Sequence, residues 1–146
     1  MRSNIRHLTA VAALGAAVFG MASAGAAGLP PTHMVNGIET VSGGIGDGQA
    51  AAMQAAAPNW PLTLEFAIKD HAKSDYAADV KVVVRNARGD TVLKTTAGGP
   101  FLLARLDPGH YTVQASLDGK MLEQKIMVGQ HPTKHLFLWP AGTDGA

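Results

Sequence analysis

The sequence of 146 residues contains no cysteine. Disulfide bonds and thiolate metal sites are therefore excluded, as are a lipid anchor on a cysteine and a cysteine nucleophile. The chain also lacks a G-x-S-x-G motif, so no serine elbow is present. The remaining serines and carboxylates are scattered over predicted turns and polar strand faces. No catalytic set emerges, and we expect a protein that is not an enzyme.

An excess of charge of one sign is also missing. The chain has 12 Lys and Arg residues against 11 Asp and Glu residues. Proteins that bind nucleic acid through the phosphate backbone usually carry a strongly basic surface. The sequence therefore predicts no nucleic-acid partner.

The longest apolar run lies at the very start of the chain. Arg2 and Arg6 precede an apolar segment at 8–19, and small residues typical of a cleavage site follow at 22–27. This pattern predicts a secretory signal peptide at 1–27, because the run is short for a membrane span. The mature chain would carry a net charge of −1, with 10 basic and 11 acidic residues. We expect it to have no transmembrane segment and to be periplasmic or secreted.

A glycine-rich segment and one short helix are predicted at 28–58. Residues 28–46 are rich in Gly, Pro and Thr and are expected to be irregular. Residues 48–57 are mostly strong helix formers. Asp47 is a plausible N-cap for this helix, and Pro58 ends it.

From residue 59 to 141 the pattern changes to strands. Apolar residues alternate with polar ones in segments such as LTLEFAI and DVKVVVRN, which is typical of half-buried strands. Asp118-Gly119 predicts a tight hairpin. The polar segment 69–78 is expected to be an exposed loop. About seven strands without a βαβ rhythm predict an all-β fold, an antiparallel sandwich with one short N-terminal helix.

The middle of this region, from 78 to 128, resembles the carboxypeptidase regulatory-like domain. The resemblance rests on the following apolar and turn residues: Phe101, Leu103, Leu106, Pro108, Gly109, Tyr111, Val113 and Gly119. It implies a seven-stranded sandwich of the immunoglobulin or prealbumin (transthyretin) type. It brings no catalytic residues, because those of the parent enzymes belong to a separate domain. A longer phrase, from SGGIG to FLW, also resembles small exported proteobacterial proteins of unknown function.

The structural motif of this resemblance is a corner between two strands. Pro108 presets the backbone of a turn, and Gly109 is expected where a side chain is disfavoured. Tyr111 is expected to be a buried side chain at the start of the next strand.

The glycine-rich stretch SGGIGDG, at 42–48, raises the question of a phosphate loop. A P-loop requires a lysine and a hydroxyl at its end, and the dinucleotide fingerprint requires a βαβ unit. Neither is present, and Asp47 would repel a phosphate. We therefore expect a flexible turn before the helix, with no cofactor.

Two side-chain groups are weak candidates for binding. His110, His131 and His135 are candidate metal ligands, although strand spacing places His131 and His135 too far apart for one ion, so no metal is predicted. Trp60 and Trp139 begin and end the predicted sandwich, and with Tyr76 they form a candidate aromatic surface for a small ligand or glycan. The alternative is that both tryptophans pack at the ends of the core.

Two functions from different classes follow. The favoured one is a non-catalytic exported sandwich that acts by contact with an unknown protein or cell-envelope component. The alternative is a small-ligand or glycan-binding module that uses its surface aromatics. The two differ in whether the aromatic rings are exposed.

Overall fold

A computed structural model describes residues 28–70 and 73–143. This part of the chain forms two β-sheets and one short helix, so the prediction of an all-β sandwich is confirmed at that level. The predicted signal peptide at 1–27 lies outside the described residues. In chain order the strands are β1 (His33–Val35), β2 (Ile38–Gly43), β3 (Leu62–Asp70), β4 (Lys73–Tyr76), β5 (Val80–Asn86), β6 (Thr91–Ala97), β7 (Phe101–Ala104), β8 (Gly109–Leu117), β9 (Lys120–Val128) and β10 (Thr133–Trp139).

The described residues thus form ten strands, where seven were predicted. The six-stranded sheet has the order β1-β2-β7-β3-β10, with β4 also paired to β3. The four-stranded sheet has the order β6-β5-β8-β9. All pairs are antiparallel except β3 and β10, which run parallel. The first sheet is therefore mixed, and the prediction of a wholly antiparallel sandwich is wrong at this pair, because the chain leaves β9 in one sheet and enters the other beside the start of β3.

The main core lies between the two sheets. Alternate residues of β3 and β10 point inward from one sheet, and alternate residues of β5 and β8 point inward from the other. The rings of Phe66, Phe137 and Trp139 form its aromatic centre, with centroids 5.9–6.4 Å apart. The strand periodicity of the sequence therefore predicts most of this core correctly.

A second, smaller core lies on the outer side of the six-stranded sheet. Helix α1 (Gln49–Ala56) and the following 3₁₀ turn (Ala57–Asn59) cover part of this face. Met53 from the helix and Trp60 after the turn pack on Val41, Phe101 and Leu103. The short helix thus buries the outer faces of β2 and β7. β7 is apolar on both faces, a pattern that predicts a central strand. The second core explains this pattern, because it covers the outer face of β7 while the main core covers the inner face.

The segment predicted to be irregular, 28–46, instead contains a β-hairpin. Strands β1 and β2 pair across Asn36 and Gly37, whose φ angles are 54° and 81°. β2 then pairs with β7 and so becomes part of the sandwich. Asn-Gly is a strong hairpin signal, because both residues tolerate the left-handed backbone of a tight turn. The high content of Gly, Pro and Thr at 28–46 favoured an irregular segment, so this hairpin was not predicted.

The polar segment 69–78 also differs from the prediction of an exposed loop. β3 continues to Asp70, and β4 pairs back along it, with Tyr76 opposite Ala67. β4 and β7 lie end to end along the same edge of β3. Apolar alternation does not detect a strand of this kind, because three of its four residues, Lys73, Ser74 and Asp75, are polar.

The helix is present near its predicted position, but Asp47 is not its N-cap. Gly48 occupies the cap in the left-handed conformation, with a φ of 71°, and no side chain caps the helix. Pro58 lies within the 3₁₀ turn that follows the α-helix.

Side chains bridge both open sides of the sandwich. On one side Gln124 of β9 donates to the carbonyl of Leu136 on β10, at 2.6 Å, and the Trp139 indole N–H donates to the carbonyl of Lys120, at 2.9 Å. On the other side Asn36 donates to the carbonyl of Val92 on β6. The two sheets are thus bonded to each other through side chains along both open sides.

Candidate functional site

The structure does not bring the predicted aromatic surface together. Trp60 and Trp139 are both buried, and they belong to different cores. Trp139 packs against Phe66 and Phe137 in the main core. Only Tyr76 of the three has an exposed ring. The tryptophans therefore cap the cores, which is the alternative that the sequence left open.

The face of Trp60 already has a stacking partner. The guanidinium of Arg105 lies 4.0 Å from the centre of its ring. Arg105 is held there by an ion pair with Glu39, at 3.3 Å, and by a hydrogen bond to the carbonyl of Asn59, at 3.1 Å. A cation over an indole is a favourable arrangement. A sugar ring would have to displace it in order to stack on this face.

A side chain from the following helix occupies the glycine-rich loop. The Gln49 side chain reaches back from the first turn and accepts a hydrogen bond from the backbone N–H of Gly44, at 2.7 Å. Backbone N–H groups of such a loop are what a phosphate would bind. The loop at 43–48 thus contributes to the packing of the helix on the sheet.

The three candidate histidines lie at separate places. His110 is the second residue of β8, His131 lies in the exposed connection before β10, and His135 lies half-buried on β10. Within the described ranges, no three His, Cys, Asp or Glu side chains are grouped so that they could hold a metal ion.

His135 supplies a prediction about pH. Burial lowers the pKa of His135 below its ordinary value of 6.5, and its Nε2 lies 3.1 Å from the Thr133 hydroxyl. The unfolded chain therefore takes up this proton at a higher pH than the folded chain. Stability should be fully present above pH 6.5 and should fall as the pH drops towards the folded pKa.

We expect the urea midpoint of the His135→Gln variant to fall less than that of the wild type between pH 7.5 and pH 5.5. His131→Gln controls for the loss of a histidine at an exposed position. An equal fall in the wild type and His135→Gln would contradict the assignment.

The corner motif is only partly as predicted. Tyr111 is half-buried against the main core, and its hydroxyl donates to the carbonyl of Asp107, at 2.6 Å. Burial, with the nearby charge of Asp107, raises the pKa of Tyr111. The prediction for Gly109 is wrong, because a side-chain Cβ there would lie 3.7 Å from the Tyr111 ring, an ordinary contact. Pro108 precedes β8 as expected.

A different surface stands out on the outer face of the six-stranded sheet. Beyond the area covered by the helix, Tyr76, Ala67 and Leu138 lie in one row across β4, β3 and β10. Tyr76 is 52% exposed and Leu138 is 40% exposed, while Leu136 on the same face of β10 is 47% exposed. We call Tyr76, Leu136 and Leu138 the apolar row. The small side chain of Ala67 forms its floor.

Charged residues border the apolar row. Lys134 Nζ lies 2.8 Å from a carboxylate oxygen of Glu65 and 5.7 Å from the centre of the Phe101 ring. Phe101 in turn contacts the edge of Tyr76, with ring centroids 5.5 Å apart. The row therefore continues into the second core, and one ion pair separates it from the helix.

Comparison with protein-family models and with curated proteins found no match.

Two grooves lie near the apolar row, and Tyr76 lines one of them. One, of about 310 Å³, lies between the end of the helix and the start of β10 and is lined by residues such as Pro58, Thr63 and Pro132. The other, of about 290 Å³, lies between Tyr76 and the loop that carries Ile45, which is itself exposed. The second groove thus extends the apolar surface from Tyr76 towards Ile45.

Sequence reasoning missed Leu136 and Leu138. The signal was available in KHLFLW, because Leu136 and Leu138 alternate with Phe137 and Trp139 and must point to the opposite face. An edge strand that is apolar on both faces needs a second cover or a partner. Nothing in the described part of the chain provides that cover for these two leucines.

Within residues 28–70 and 73–143, no helix has the length and apolar character that a membrane span requires.

Proposed function

We propose that this protein is a non-catalytic exported β-sandwich that binds another protein through the apolar row. The observation that carries the proposal is the exposure of Tyr76, Leu136 and Leu138 on one sheet face, next to a helix that covers only the other part of that face. Large exposed apolar groups that lie together are typical of interaction surfaces.

The composition of the row favours a protein over a glycan. Sugar rings stack on flat exposed aromatic faces, and the row offers one tyrosine and two leucines. Leucine side chains contribute to binding by burial against other apolar side chains. A small apolar centre with an ion pair at its border has the anatomy of a protein interface.

Export and the absence of catalysis belong to the same proposal. The sequence at 1–27 supports export to the periplasm or beyond the cell. The lack of cysteine and of a serine elbow supports a non-catalytic role, and so does the resemblance to the carboxypeptidase regulatory-like domain, which accompanies catalytic domains without sharing their active site. The two-sheet fold is compatible with that resemblance.

The proposal can be tested by site-specific photo-crosslinking in exporting cells. A photoreactive phenylalanine analogue is placed singly at positions 76, 136 and 138, and at position 88 as a control. Arg88 is highly exposed on the turn between β5 and β6. We expect the three row positions to give one common adduct with another protein, and position 88 to give none.

Leu136→Asp and Leu138→Asp sharpen this test. Each should abolish the adduct formed from position 76, because a carboxylate desolvated in an apolar contact is unfavourable. Each should leave the stability of the domain within about 1 kcal/mol, since both side chains are exposed. An adduct equally strong at position 88, or one with a second copy of the chain, would refute the proposal.

A further inference from the structure

The outer face of the four-stranded sheet differs in character from the apolar row. No helix of the described part of the chain covers it, and its outward positions are mostly polar. Four of them are basic, namely Lys81, Arg85, Lys94 and Lys125, and one is acidic, Glu123. We call this surface the basic face. It carries a net charge of about +3 in a mature chain that is close to neutral.

Among residues 28–70 and 73–143, the cations of the basic face have no carboxylate partner in an ion pair. The ion pairs between described residues join Arg88 to Asp90, Arg105 to Glu39 and Lys134 to Glu65. None of the four basic side chains on this sheet is among them. Their charge is therefore available to an anionic ligand.

The strand register places two of these cations on either side of a hydroxyl. Arg85 lies opposite Thr112, and Thr112 lies opposite Lys125. With strands about 4.8 Å apart, the backbones of Arg85 and Lys125 are about 10 Å apart. A trough of about 430 Å³ lies over this row, and His110 and Gln114 also line it. An acidic group above Thr112 would have a cation on each side.

A chain of hydrogen bonds fixes the arginine. Arg85 Nη1 donates to the Gln114 side-chain oxygen at 2.8 Å, and Gln114 Nε2 donates to Glu123 at 2.9 Å. The guanidinium is thus held in place while its other N–H groups stay available. Glu123 is bound by the amide of Gln114, and neither Arg85 nor Lys125 is neutralised by it.

We propose that the basic face binds an anionic glycan, specifically a polysaccharide whose sugars carry carboxylates. Arg85 and Lys125 would bind carboxylates, and the Thr112 hydroxyl and the Gln114 amide would bond sugar hydroxyls. This site is distinct from the apolar row, because it lies on the opposite outer face of the sandwich. A protein with both sites would link an envelope polysaccharide to a protein partner.

The geometry favours a glycan over an acidic peptide. An extended peptide gains most of its affinity by pairing its backbone with the free edge of a sheet. The row from Arg85 to Lys125 crosses the middle of the sheet, where β5 and β8 each already pair with two neighbouring strands. Recognition there depends on side chains alone. This suits a flexible polysaccharide that presents hydroxyl and carboxylate groups.

The test uses the mature full-length chain with polygalacturonate as the probe, and dextran as an uncharged polymer of similar kind. Affinity electrophoresis or calorimetry at low salt should show binding to polygalacturonate and none to dextran. The affinity should fall as salt is raised, because exposed charges are screened. The double variant Arg85→Gln/Lys125→Gln should lose at least about tenfold in affinity.

Matched controls separate this site from general charge. Arg88→Gln removes a nearby exposed cation that is already paired with Asp90, and it should change affinity by less than about twofold. Thr112→Val should weaken polygalacturonate binding while leaving the melting temperature unchanged. Crosslinking from position 138 should be unaffected by all of these variants, so this proposal and the apolar row can fail separately.

Three outcomes would overturn the inference. One is the absence of polygalacturonate binding at low salt. Another is an equal loss of affinity in Arg88→Gln and in the double variant. The third is binding of poly-glutamate as tight as that of polygalacturonate together with no effect of Thr112→Val, which would show an acidic-peptide site governed by charge.

Discussion

Replacing Trp139 by alanine should lower the free energy of unfolding by about 3–5 kcal/mol, as is typical of large aromatic truncations in cores. The side chain is fully buried, and its ring contacts Phe66 and Phe137. Its indole N–H also bonds the Lys120 carbonyl on the other sheet. The substitution would therefore open a cavity in the core and leave that carbonyl without its donor.

Trp139→Phe is the matched control for this variant. It keeps an aromatic ring in the core and removes the N–H, so its cost should be about 1–3 kcal/mol, clearly smaller than that of the alanine variant. Urea denaturation of the three proteins gives the comparison. If Trp139→Ala kept the wild-type midpoint, the indole could not be part of the core, and the aromatic-platform hypothesis would be open again.

This prediction also shows what the sequence could and could not settle about the aromatics. Trp60 lies just before the first predicted strand of the sandwich and Trp139 ends the last one, and a proline follows each. These positions are compatible with a core cap and with an exposed platform. Only the three-dimensional arrangement distinguishes them, because it places Arg105 over one ring and the second sheet over the other.

The strands between 80 and 128 follow from the sequence because their pattern is local. Val80, Val82 and Val84 alternate with polar residues, and Asp118-Gly119 forms the hairpin with positive φ angles of 48° and 79°. Each of these patterns spans only a few residues, so it predicts its strand or turn without information about the rest of the fold.

The remaining elements depend on contacts between distant segments. The parallel pairing of β10 with β3 joins residues about 70 positions apart, for example Phe137 with Phe66. No local pattern encodes that choice. The juxtapositions at the two candidate sites are non-local in the same way, since strand register alone brings Tyr76 beside Leu138 and places Arg85 across Thr112 from Lys125.

The glycines are the clearest case of a non-local cause. Gly99 lies against the backbone of Gly43, more than fifty residues away in the sequence. A Cβ on Gly99 would lie 2.4 Å from the carbonyl carbon of Gly43 and 2.5 Å from its oxygen. The backbone of Gly43 cannot easily move away, because Gly43 is the last residue of β2 and is paired opposite Phe101 on β7. Gly43, in the glycine-rich stretch at 42–48, therefore packs against position 99, where only glycine fits without a shift of the backbone.

Gly99→Ala should consequently cost about 3 kcal/mol, at the upper end of the range for an overpacked site, since the obstructing atoms are backbone. Gly98→Ala is the matched control, because a Cβ there would meet only the Ser42 hydroxyl, at 3.8 Å. Its stability should stay within about 1 kcal/mol of the wild type. Urea denaturation of both variants gives the comparison, and near-ultraviolet circular dichroism reports whether the second core around Trp60 is retained. Equal midpoints for the two alanine variants would mean that the backbones at 43 and 99 do not touch, and that the glycines are needed for something other than this contact.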